Sequence, residues 1–160
     1  MVKKDIYEIL ETVKDPEIPV ISILDLGIVR EVRRSNGKVE IDITPTYSGC
    51  PALDVIPVMI EDAMLANGYE NVLVKNILSP AWSTDWISEN GLQKLKEYGI
   101  APPVEKTSDK SFLTDEPKVV PCPLCTSKNT RLVSQFGSTP CKAAYQCNDC
   151  MEPFDYFKCH

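Results

Sequence analysis

Residues 28–66 read IVREVRRSNGKVEIDITPTYSGCPALDVIPVMIEDAMLA, and this stretch decides the fold of the first part of the chain. Asn36-Gly37 sits between two apolar-rich runs, 28–34 and 38–44, a pattern that predicts a hairpin closed by a two-residue turn. The second run alternates cleanly. Val39, Ile41 and Ile43 point one way and Lys38, Glu40, Asp42 and Thr44 the other, so one face of that strand is buried. Residues 51–66 then change period: Leu53, Ile56, Ile60, Ala63 and Met64 form a helical stripe that ends at Asn67-Gly68. Pro51 suits a first turn. Pro57 falls in the interior, where it lacks a donor and is expected to kink or divide the helix.

Working outward, Ile6, Ile9, Leu10 and Val13 predict a helix over 3–13 that Lys14-Asp15-Pro16 terminates. A third strand is expected at 71–78. A helical region follows at 84–98, with Leu92, Leu95 and Tyr98 on one side and Gly99 beyond its end. Residues 101–118 hold Pro102, Pro103 and Pro117 among charged and hydroxyl residues without periodicity, the composition of a linker. The expected organisation is an α+β domain over 1–100 with a small three-stranded sheet and helices, a linker over 101–118, and a cysteine-rich module over 119–160.

The 160 residues contain seven cysteines, and they are unevenly placed. Cys50 stands alone in the first 117 positions, while Cys122, Cys125, Cys141, Cys147, Cys150 and Cys159 crowd the remainder. Charge divides the same way: twelve Lys and Arg face twenty Asp and Glu in residues 1–117, against five and three in 118–160. The net charge of -6 gives no general support to nucleic-acid or anionic-membrane binding. No apolar run spans a bilayer, and Met1-Val2-Lys3-Lys4-Asp5-Ile6-Tyr7-Glu8 lacks the apolar core of a signal peptide. An odd cysteine count then favours thiols and metal over disulfides, and the expected compartment is the cytoplasm.

Cys122-Pro-Leu-Cys125 and Cys147-Asn-Asp-Cys150 are two C-x2-C knuckles with 21 residues between them. Each tight turn aims two sulfurs at one point, and two such turns complete a tetrahedron around an ion. Short strands are expected around 131–136, 143–147 and 154–157, giving a β-ribbon with Phe136, Tyr145, Phe154, Tyr156 and Phe157 as its small core. A module this short buries too little apolar surface to fold alone, so ligation to a structural zinc would dominate its stability. Rubredoxin-like iron sites usually carry Gly after the second cysteine; Thr126 and Met151 stand in those places. Cys141, Cys159 and His160 remain ambiguous: each could replace a knuckle ligand, and Cys159 with His160 could pair, although half-buried thiols and a free terminus are the simpler reading.

Cys50 occupies the junction between strand and helix, in Tyr47-Ser48-Gly49-Cys50-Pro51. The positive end of the helix dipole and free N–H groups there are expected to lower its pKa and favour thiolate, the form that ligates iron, zinc or a cluster. Asp15-Pro16-Glu17-Ile18-Pro19-Val20 and Asp25-Leu26-Gly27 add a stiff acidic loop that could accompany Cys50, although alone such a loop reads as a solvated connection. The only His is the terminal His160, there is no phosphate loop, and no Ser/His or Cys/His pair is credible as a nucleophile and base, so the chain is not expected to be a catalyst by itself.

Asp15-Pro16-Glu17, Asp25-Leu26-Gly27, and Thr46 with Ser48-Gly49-Cys50-Pro51 together resemble the SufT-like family of iron–sulfur cluster assembly proteins. Ser79-Pro80-Ala81-Trp82-Ser83-Thr84-Asp85-Trp86-Ile87-Ser88, Tyr98 through Pro103, Phe136 through Ala143 and Glu152 through Lys158 are similar to one branch, the PaaD (PaaJ) family. That family serves the multicomponent ring-1,2-phenylacetyl-CoA epoxidase of aerobic phenylacetate catabolism. The resemblance implies a non-catalytic accessory or maturation protein, with Cys50 as candidate cluster or iron ligand and Asp15 and Glu17 shaping its surroundings. It implies Cys122, Cys125, Cys147 and Cys150 as zinc ligands and a transient iron or iron–sulfur cluster as cargo. The implied partners are the oxygenase and reductase subunits and iron–sulfur assembly machinery, with a homodimer left open. The alternative is a docking subunit whose zinc ribbon is purely structural.

Overall fold

A computed structural model describes residues 3–46, 49–104 and 119–157. The chain divides into two compact units, one of residues 1–82 and 86–91, the other of 83–85 and 92–160.

In the first unit, α1 (Ile6–Thr12) precedes β1 (Val29–Ser35), β2 (Lys38–Ile43), α2 (Ala52–Ala66) and β3 (Val72–Asn76). The sheet order is β1-β2-β3, antiparallel between β1 and β2 and parallel between β2 and β3. Asn36 and Gly37, at φ 47° and 78°, close the hairpin in the left-handed geometry that suits the strand twist. Val39, Ile41 and Ile43 are buried together with Ile56, Ile60 and Met64 of α2 and Ile6, Ile9 and Leu10 of α1. The other sheet face is charged: Arg33 donates to Glu31 and Asp42 at 2.6 Å, and Lys38 and Lys75 both engage Glu40.

Pro57 does not break α2, which runs unbroken from Ala52 to Ala66. The missing N–H frees the carbonyl of Leu53, four residues earlier, and the Asn76 side-chain amide donates to that oxygen at 3.4 Å. The helix is therefore not divided, and the freed carbonyl finds a substitute donor at the end of β3.

Between α1 and β1 the chain is no solvated connection. Val13, Ile18, Ile21, Ile23, Leu26 and Ile28 are each at most 4% exposed. Asp15 organises this loop. Its Oδ1 accepts the backbone N–H groups of Glu17 and Ile18, at 2.8 and 2.9 Å, and its own N–H donates to the Ile21 carbonyl.

The helix expected over 84–98 is two pieces, a 3-10 turn at Thr84–Trp86 and α3 (Glu89–Glu97). Ser88 separates them as the cap of α3, its Oγ accepting the Gly91 N–H. Tyr98 is exposed, contrary to its expected place on the buried side. Segment 82–91 is strapped to the Asp25-Leu26-Gly27 turn. Trp82 Nε1 donates to the Leu26 carbonyl, and Ser88 Oγ and Asn90 Nδ2 donate to the Asp25 carboxylate. Gly27, at φ +74°, lies where a Cβ would sit 2.3 Å from the Trp86 carbonyl, so only glycine fits the close approach.

The second unit contains β4 (Ile100–Ala101), β5 (Thr130–Ser134), β6 (Lys142–Cys147) and β7 (Pro153–Phe157) in a sheet ordered β4-β7-β6-β5. Only the β4–β7 pair is parallel. Ala101, Val120, Cys122, Ala143, Tyr145, Cys147, Phe154 and Tyr156 form its core, with Tyr145 stacked on Phe154 and edge-on to Tyr156. Ala101, where the linker was expected to begin, is thus a buried strand residue. Phe136 leaves the expected core: it is 64% exposed.

Candidate metal sites

The two knuckles converge. The sulfurs of Cys122, Cys125, Cys147 and Cys150 all lie within 4.8 Å of one another. Cys122 and Cys150 are 3.8 Å apart and Cys125 and Cys147 3.5 Å. Ligands about 2.3 Å from a central ion define a tetrahedron with edges of about 3.8 Å, so this donor set fits a thiolate-bound divalent ion.

Backbone geometry creates the convergence. Thr126 N–H bonds the Cys122 carbonyl, and Thr126 and Met151 take φ of 65° and 64°, turning the chain back after each second cysteine. The knuckles are also tied to one another. Ser127 Oγ donates to Asp149, Asn129 Nδ2 to Asp149 Oδ1 at 2.9 Å, and Asn148 Nδ2 to Asn129 Oδ1 at 3.0 Å. The absence of glycine in the sequence therefore leaves the backbone shape typical of such knuckles intact.

The electrostatics of four crowded sulfurs call for a cation. Hydrogen bonding from the Cys150 N–H, the largest influence, holds the Cys147 thiol down at about 7. At Cys150 the Glu152 N–H favours the thiolate, but desolvation and the three neighbouring thiols outweigh it and push the group up to about 12. Without an ion one sulfur ionises readily at neutral pH and its neighbour resists. A divalent ion removes that conflict. Cys141 is buried with its sulfur 3.1 Å from Thr139 Oγ1 and is not among the four converging residues. Cys159 and His160 lie outside the described residues.

Cys50 is 7% exposed at the start of α2. Asp15, Thr46, Cys50 and Asn76, with the apolar side chains of Ile28, Ile43 and Ile56, line a cavity of about 10 Å³, enough for one water-sized group. Thr46 Oγ1 lies 4.0 Å from the sulfur. The expected drop in thiol pKa is reversed: burial pushes it up, and the charges of Glu17 and Asp15 add to this. The Ala52 N–H and Thr46 favour the thiolate, but less strongly. Asn76 is the site residue that sequence reasoning missed; its only signal was its place at the end of a strand predicted to run beside α2. Asp15 is brought to the cavity, whereas Asp25 is engaged in holding segment 82–91 and does not line it.

A small α+β sheet domain carrying a buried thiol, joined to a four-cysteine β-ribbon, defines a two-module metal-handling protein. Family models agree in both halves: residues 3–74 match the iron–sulfur cluster assembly protein family and residues 106–158 the PaaD zinc beta ribbon domain. The chain is 47% identical to a protein of Escherichia coli (strain K12) named as a component of 1,2-phenylacetyl-CoA epoxidase, over 97% of this chain and 92% of that one. It belongs to the same family as that protein, the family with a PaaD zinc beta ribbon domain. A second relative, the Fe-S protein maturation auxiliary factor of Porphyromonas gingivalis, is 36% identical over 58% of this chain and 90% of its own. Among solved structures, a domain of unknown function from Bacillus anthracis matches 56% of the chain and 87% of its own at a TM-score of 0.53 and 29% identity. A conserved hypothetical protein of Thermotoga maritima matches 59% and 98% at a TM-score of 0.50 and 27% identity. Among the described residues no helix is long and apolar enough to cross a membrane.

Proposed function

We propose that this chain is a cytoplasmic accessory protein of the multicomponent 1,2-phenylacetyl-CoA epoxidase, non-catalytic itself, that assists assembly of an iron or iron–sulfur centre through Cys50. The observation that carries this reading is the cavity in which Cys50 and Asp15 meet, inside the segment that matches iron–sulfur assembly proteins. A thiol that stays protonated when alone gives up its proton when a metal takes its place, so binding and release are both accessible at neutral pH. Asp15 supplies negative charge at the cavity wall and Glu17 adds to it from nearby. The ribbon holds zinc through Cys122, Cys125, Cys147 and Cys150 and serves stability, while the clients are the oxygenase and reductase subunits.

Coproduction of the chain with those subunits tests this. Replacing Cys50 by Ser leaves folding and one zinc per chain intact, while iron and cluster absorbance in the client fall several-fold. Full client occupancy beside the Cys50→Ser chain sinks the maturation role.

The burial of Cys50 favours a second reading, a docking subunit with an inert thiol. On that reading Cys50→Ser changes nothing, and removal of residues 119–160 abolishes association with the oxygenase. Chelating the ribbon metal separates the two: it disrupts association in the docking reading and unfolds only the second unit in the maturation reading.

A further inference from the structure

The first unit is acidic, yet it carries one basic groove. Lys3, Lys4, Arg34, Lys38 and Tyr69 line a concavity of about 490 Å³ beside the Asn36-Gly37 turn. It shares no lining residue with the Cys50 cavity. The volume lies within the range of small-molecule sites, about 300–1,000 Å³.

Three of its four lining cations, Lys3, Lys4 and Arg34, stand outside the ion pairs that hold most other cations of this unit. Arg33 pairs with Glu31, Glu40 and Asp42, Lys38 and Lys75 with Glu40, and Lys14 with Glu11. Among the described residues, Lys3, Lys4 and Arg34 have no carboxylate within ion-pair distance. Tyr69 places Arg34 and Lys3 and ties down the Lys4 backbone. Tyr69 Oη accepts from Arg34 Nη2 at 2.8 Å and donates to the Lys4 carbonyl at 2.9 Å. The Lys3 ammonium lies 4.9 Å and the Arg34 guanidinium 5.6 Å from the Tyr69 ring centroid. Asp5 is the one acid lining the groove, and its Oδ1 is engaged by the Tyr7 N–H at the start of α1. Lys3, Lys4 and Arg34 thus outnumber the single lining carboxylate, and the groove is net positive.

We propose that this groove binds a small molecule bearing a diphosphate group. Arg34 offers a planar fork to one phosphate, and Lys3 and Lys4 give flexible point charges to the other. The proposal is independent of the role of Cys50.

Calorimetric titration of the full-length chain with pyrophosphate, ADP and AMP tests it at about 50 mM salt, where charge contacts are weakly screened. Pyrophosphate and ADP bind saturably at one site, and AMP binds at least ~10-fold more weakly. Arg34→Gln weakens pyrophosphate by ~10-fold or more, and Lys3→Gln with Lys4→Gln does the same by a route that leaves the sheet untouched. Arg131→Gln, in the other unit, changes nothing. The proposal is overturned by an absence of saturation up to ~10 mM pyrophosphate. It is equally overturned if both groove variants keep wild-type affinity, or if a hexaglutamate peptide binds these residues more tightly than pyrophosphate.

Discussion

The Asn76 side-chain amide donates to the Leu53 carbonyl, 3.4 Å away, and so joins the end of β3 to the first turn of α2. Leu53 is three residues beyond Cys50, and both line the cavity that Asn76 also borders. A helix with an internal proline would otherwise leave that carbonyl without its usual partner. The bond therefore has two effects: it keeps α2 continuous past Pro57, and it fixes the wall of the site in which the thiol stands.

Pro57 and Asn76 are accordingly expected to be coupled. Pro57→Ala restores an N–H for the Leu53 carbonyl and a better helix former, and should stabilise the first unit by about 1 kcal/mol or more. Asn76→Ala should cost about 0.5–1 kcal/mol in the natural background and distinctly less beside Pro57→Ala. Urea unfolding of the four chains of this cycle measures the difference. Equal costs in the two backgrounds would show that Asn76 acts elsewhere.

The hairpin, α2 and the two knuckles were legible because each is a local pattern. Alternation reveals a strand, helical spacing a buried face, and C-x2-C a metal turn. Satisfaction of the Leu53 carbonyl was not legible, because its donor lies 23 residues away and nothing local distinguishes Asn76 from any strand-end amide. The same limit hid the core role of residues 13–28. Asp15, Pro16 and Glu17 read as a solvent loop until Asp15 is seen accepting two N–H groups from the turn it caps. Phe136 failed in the opposite direction: an aromatic in a short module was assigned to the core, yet it lies two residues past the end of β5 and stays exposed. The Cys50 pKa failed for a physical reason. The helix terminus does favour the thiolate, through the Ala52 N–H, but burial is the larger effect.

Thr126 and Met151 hold left-handed backbone that glycine adopts without a Cβ clash, and Thr126 is β-branched. Replacing each by Gly should raise the stability of the metal-loaded ribbon by about 0.5–1 kcal/mol, with Thr126 giving the larger gain. Thr126→Val keeps the branch and gives no gain. Thermal melts of the second unit's transition, with metal content measured beside them, provide the readout. A loss of stability in both glycine variants would mean that the side chains hold the knuckles more firmly than the backbone strains them.

Cys50 should titrate above the ordinary thiol value of about 8.5. The folded pKa is raised, first by burial and then by Glu17 and Asp15, so ionisation is harder in the native state than in the unfolded chain. The sign for stability follows. The contribution of the protonated thiol is complete below the unfolded pKa and is lost as pH rises through the folded one. Alkylation of a chain in which Cys50 alone reacts, the ribbon thiols being held by metal and Cys141 and Cys159 replaced by Ala, should therefore be slow at pH 7 and rise with a midpoint above that of a model thiol. Glu17→Gln should shift the midpoint downward by removing a like charge while leaving burial unchanged. Asp15→Asn removes charge too, but it also weakens the acceptor of the Glu17 and Ile18 N–H groups, so its shift should come with a fall in melting temperature. A midpoint at or below that of the model thiol would instead place the influence of the helix terminus above that of burial.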